Sequence, residues 1–142
     1  MKKRNILLPL ILMLFLISCK SEYKLNLDNI SLKFKEMEVL RYVDDDLEKT
    51  EKIKIDSSEK INQITKLLEN NLNPSENNDG LDSAPSKDSL KIYFDDCELL
   101  LIKDNFYKDK YYYTFYYGGT YKNFTSDIDL NAEICKIIEP AN

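Results

Sequence analysis

The stretch LKIYFDDCELLLIKDNFYKDKYYYTFYYGGTYKNFT, residues 90–125, decides the fold. Leu90 to Phe94, Glu98 to Lys103, Tyr111 to Tyr117 and Thr120 to Thr125 are short runs of aliphatic or aromatic residues bounded by turns and read as strands. Asp95-Asp96, Asn105 to Lys110 and Gly118-Gly119 separate them as turns. Turns this short join neighbouring strands, so the pairing is antiparallel. Alternation then divides the aromatic residues between two faces. Tyr111, Tyr113, Phe115 and Tyr117 share one face; Tyr112, Thr114 and Tyr116 share the other. If helices cover only one side of the sheet, the other side exposes a tyrosine row, and Tyr112, Tyr116 and Tyr121 form the candidate binding face. The competing reading of the same residues is a cross-strand ladder that only stiffens the hairpin.

Upstream, Ser31 to Val43 alternates as a strand with one slip near Glu36, which suggests a bulge, and Thr50 to Ile55 returns after the turn at Asp44-Asp45-Asp46. Asp56-Ser57-Ser58-Glu59 is a helix start, followed by Ile61, Ile64, Leu67, Leu68 and Leu72 at helical spacing. Asn70 to Pro85 is polar and turn-rich, so it reads as a long loop. Leu130, Ile134, Ile137 and Ile138 follow a capping Asp129 and form a short last helix, with Pro140 after it. The expected architecture is α+β, an antiparallel sheet of about five to six strands with one long and one short helix packed on one face. Residues 31–142 make a single domain, and no internal repeat divides them.

The 142 residues are 32% charged and 43% hydrophobic, which places the chain among globular proteins and outside the disordered and multi-span membrane classes. There is no histidine, so Ser-His-Asp and Cys-His catalysis and histidine-ligated zinc are excluded. Three glycines leave no glycine-rich phosphate cradle.

The amino terminus differs from the rest. Lys2, Lys3 and Arg4 precede an apolar run from Ile6 to Ile17, too short to span a bilayer, so residues 1–18 read as a signal peptide. At its end, Leu16-Ile17-Ser18-Cys19 resembles the lipobox of bacterial lipoproteins. The resemblance implies acylation of the Cys19 sulfur, removal of the peptide before it, and acylation of the new terminus. A lipid-anchored protein follows, held at the cell membrane or outer membrane with its domain outside the cytoplasm. Lys20 is not the aspartate associated with inner-membrane retention. Residues 19–30 read as a lipidated linker that lets the body stand off the bilayer. Beyond this segment the layout is similar to small uncharacterised lipoprotein domains of bacteria, a likeness that assigns no residue roles.

Removing Lys2, Lys3 and Arg4 from the 20 basic residues leaves 17 against 25 acidic ones, a formal charge of −8. Phosphate backbones repel such a chain, so nucleic acid is not an expected partner. Cys97 and Cys135 could bridge, for roughly 3–4 kcal/mol in the loop-entropy treatment, but two separate thiols fit their settings better, one after a turn and one on a helix flank. Ser57-Ser58-Glu59-Lys60 matches the S-x-x-K pattern of penicillin-interactive enzymes without its companion motifs, and reads as a helix cap. The run before Gly80 partly resembles a calcium loop but has Ser86 where the closing glutamate belongs. Asp44-Asp45-Asp46 with Glu48 reads as a charged hairpin tip. No metal, no cofactor and no catalytic residue is expected. The function expected is a non-enzymatic envelope lipoprotein that binds a protein or a cell-wall polymer through the aromatic sheet face. The alternatives are an immunity-type or inhibitor lipoprotein neutralising a basic toxin or enzyme, and a purely structural envelope protein.

Overall fold

The computed structural model describes residues 21–43, 49–76 and 84–139; Cys19, the 44–48 tip, the Gly80 run and Pro140 lie outside them. The described residues form an α+β fold of nine strands and two helices: β1 Tyr23–Leu27, β2 Ile30–Phe34, β3 Met37–Tyr42, β4 Thr50–Lys54, α1 Ser58–Asn71, β5 Asn73–Ser75, β6 Leu90–Phe94, β7 Cys97–Tyr107, β8 Lys110–Tyr117, β9 Thr120–Ser126 and α2 Leu130–Ile138. Seven strands make one antiparallel sheet in the order β4-β3-β6-β7-β8-β9-β5, and β1 and β2 make a separate two-stranded sheet.

The strand count exceeds the about five to six that patterning predicts, for three local reasons. The first is that Tyr23–Leu27, expected within a linker, pairs with β2 in the register Leu25↔Leu32 and Leu27↔Ile30. Both leucines are buried. The second is that the slip near Glu36 is a strand break. Backbone amides of Lys35 and Glu36 donate to the Asp95 carboxylate, and the chain passes there from the small sheet to the large one. The third is that Asn73–Ser75, inside the expected loop, adds to the edge of β9.

Both helices begin where the sequence places them. Ser57 Oγ accepts from the Lys60 amide and Asp129 Oδ1 accepts from the Ala132 amide, so each cap satisfies a donor that the first helical turn leaves open. Ile61, Ile64 and Leu68 of α1, Leu130 and Ile134 of α2, and Leu25, Leu27, Ile30 and Phe34 of the small sheet join Val39, Ile92, Leu99, Leu101, Tyr113 and Phe115 of the large sheet in one core. Phe34 and Phe94 meet edge to face at 5.2 Å, which couples the two sheets directly. Asn26 binds Glu69 Oε1 through its backbone amide at 2.7 Å and its side-chain amide at 3.1 Å, fastening β1 to α1.

Strand β7 runs from Cys97 to Tyr107 and its ladder with β8 shifts register between Leu101 and Phe106. The side chain of Asn105, buried at this bulge, donates to the Tyr112 carbonyl at 2.7 Å in place of a ladder partner. The Asn131 amide of α2 donates to the Leu101 carbonyl at the other side of the break, at 3.3 Å.

Candidate functional site

All residues of the common core lie on one face of the large sheet or on the elements that cover it. The other face is built from cross-strand rows, since directly paired residues point the same way. One row runs Lys54, Glu38, Tyr93, Glu98, Tyr116, Tyr121 from β4 to β9. The next runs Lys52, Leu40, Lys91, Leu100, Thr114, Asn123. Tyr93, Tyr116, Leu40 and Leu100 are half-buried, and Tyr121 is 71% exposed.

The charges on this face are paired laterally: Lys52 Nζ lies 2.7 Å from Glu38 Oε2 and Lys91 Nζ 3.7 Å from Glu98 Oε1. Lys91 also sits 6.0 Å from the centroid of the Tyr93 ring. The rings of Tyr116 and Tyr121 are 5.1 Å apart and inclined by 50°, so they present one continuous aromatic surface with two hydroxyls at its rim. Such a surface can stack against or hydrogen-bond a partner.

Of the three tyrosines read as the candidate face, Tyr116 and Tyr121 stand together and Tyr112 does not join them. Tyr112 is only 5% exposed. Although it points to the outer side, the β7 bulge folds Ile102 and Asn105 into burial beside the same stretch, and the Tyr107 ring lies 6.4 Å from the Tyr112 ring. Strict alternation does not anticipate this, because a bulge is invisible to a period of two. Tyr93 replaces Tyr112 as the third ring of the face; its place between Glu38 and Glu98 follows from register, which no single strand reveals.

A second feature lies at the far end of the strands, under α2. A cavity of about 280 Å³ is lined by Arg41, Asp88, Lys103, Asp129, Asn131 and Cys135, with Ala132 at its wall. Arg41 donates to Asp88 Oδ1 through Nε at 3.1 Å and Nη2 at 2.7 Å, and its Nη1 lies 3.6 Å from Glu139. Hydrogen bonding to this guanidinium holds the Asp88 carboxyl below its ordinary range, and Asp88 adopts the left-handed conformation at φ 66°. Arg41 is the only arginine after Arg4, which is the one sequence signal that this position is special.

Cys135 and Cys97 are both free thiols. Cys97 pairs with Phe94 at one end of β6, while Cys135 shares the cavity with Arg41, which pairs with Leu90 at the other end, about 13 Å along the strand. That exceeds the roughly 7 Å between Cα atoms that a disulfide spans. Burial raises the pKa of both thiols, so neither is a ready thiolate nucleophile. Among the described residues no group of three or more acidic or cysteine side chains is gathered as for a metal ion, and no helix is long and apolar enough to cross a membrane. Comparison with protein-family models, with curated proteins and with solved structures finds no match to this chain.

Proposed function

We propose that the chain is a lipid-anchored, non-enzymatic binding module of the bacterial cell envelope, held at the membrane through Cys19 and engaging a protein or a cell-wall polymer through the outer sheet face at Tyr93, Tyr116 and Tyr121. One observation supports this reading: the common core lies on one side of the seven-stranded sheet, and the other side, which among the described residues carries no helix, bears Tyr93 and the adjoining rings of Tyr116 and Tyr121 beside the paired charges Lys52–Glu38 and Lys91–Glu98. A face meant only for solvation has no need of adjacent aromatic rings, whereas tyrosines of this kind give rigid contact area with a hydrogen-bonding tip.

The test is capture of envelope components by the acylated full chain after crosslinking. Replacing Tyr116 and Tyr121 by alanine should weaken that capture by about 1 kcal/mol or more, roughly fivefold in affinity. Undiminished capture by a folded double variant removes the case for this surface.

A further inference from the structure

The position of β1 bears on how the domain meets the membrane. Strand β1 starts at Tyr23, and the Tyr23 hydroxyl lies 2.8 Å from Ser58 Oγ at the start of α1. Ser21 already lies against the body, lining a depression of about 170 Å³ with Tyr23, Lys35, Lys54 and Asp56. Cys19 precedes Ser21 by two residues, and an extended chain reaches at most about 3.6 Å per residue, so a lipid on Cys19 is tethered within about 7 Å of this surface. A tether that short cannot hold the body away from the bilayer.

The end of the domain concerned is defined by strand register. Tyr23 pairs with Phe34, Met37 with Phe94, Phe94 with Cys97 and Tyr117 with Thr120, so the chain entry, the Lys35-Glu36 link, the Asp95-Asp96 turn and the Gly118-Gly119 turn all lie at one end of the strands. The β7–β8 turn after Tyr107 lies at the other end, about 30 Å away along β7, and the Arg41–Asp88 cavity, level with Leu90 and Leu101, lies about 13 Å from the entry end. Lys35 and Lys54 are exposed and line the depression at the entry point together with Glu36 and Asp56, so their ammonium groups can meet lipid phosphates there. Asp56, Asp95 and Asp96 are exposed at the same end and oppose a strongly anionic surface, so the chemistry fits zwitterionic headgroups.

We propose that the domain sits directly on the bilayer, with the end bearing Ser21, Lys35, Lys54 and the Asp95-Asp96 turn against zwitterionic phospholipid headgroups and the Arg41–Asp88 cavity directed away. This rests on the lipid at Cys19 taken as part of the function proposed above. Tyr93 and Tyr116 lie one register step from the membrane-side turns, so a partner of the aromatic face is met close to the membrane surface.

The experiment places a photo-crosslinking phenylalanine analogue at Lys35, at Asp96 or at Tyr107 in the full acylated chain, reconstituted in vesicles of phosphatidylethanolamine and phosphatidylcholine. All three positions are exposed, and circular dichroism checks that each variant folds. Lipid adducts from positions 35 and 96 should exceed those from position 107 severalfold. Equal yields, or a greater yield from 107, overturn the proposed seating; if capture through Tyr116 and Tyr121 persists in the same preparation, the binding reading survives that failure. A mass showing an unmodified Cys19 overturns both the anchor and the seating.

Discussion

The hydroxyl of Tyr113 accepts a hydrogen bond from the Leu130 amide at 3.1 Å and donates to the Ile128 carbonyl at 3.3 Å, so a strand residue closes the entry to α2. Its ring is buried, and burial raises its pKa far above the ordinary phenol value. Tyr113→Phe keeps the ring and leaves the buried Leu130 amide without that acceptor, which should cost about 1–3 kcal/mol, read as a lowered denaturant midpoint. Asp88 offers a pH test. Its pKa is lowered by hydrogen bonding to Arg41, so the folded chain binds this proton more weakly than the unfolded chain, whose value is the ordinary 3.8. The stabilisation is therefore complete above about pH 4 and is lost as pH falls through the lower folded value. Asp88→Asn should flatten the acid limb of a melting-temperature profile, and an identical limb in both proteins counts against the pair. That Tyr113 faces inward is legible from alternation; that Arg41 meets Asp88, 47 residues away, is not, because the contact depends on where β3 ends beside the turn before β6.

At the next level, the helices and the central strands were the most readable elements. Ile61, Ile64 and Leu68 repeat with the helical period after Ser57, and that local pattern is enough to place α1. Strand β1 was not readable as such. Its five residues, Tyr-Lys-Leu-Asn-Leu, alternate but make only a short run, and pairing with β2 is what gives them a buried face. Leu25→Ala separates the two descriptions of this segment. A linker leucine tolerates the change, whereas a leucine fully buried between the sheets and α1 should lose about 2–5 kcal/mol on chemical denaturation. Strand β5 escaped for a similar reason: three residues including Pro74 carry no strand signal, and a proline is admissible there because β5 is an edge.

For the molecule as a whole, the covering of one sheet face builds the common core and leaves the other face for the binding role proposed above. Tyr116 and Tyr121 lie outside the common core, so their joint replacement by alanine should change the unfolding free energy by no more than about 1 kcal/mol while capture falls. The sequence alone was sufficient for the α+β class, the helix caps, the antiparallel hairpins and the division of the aromatic residues between two faces, because each of these is dictated by periodicity and turn chemistry within a dozen residues. Tertiary structure alone decided that Tyr112 is covered, that Tyr93 stands in line with Tyr116, that Cys97 and Cys135 lie apart, and that the chain joins the core as early as Tyr23. These depend on bulges, register and inter-sheet contacts, which couple residues far apart in the chain and leave no mark in any local pattern.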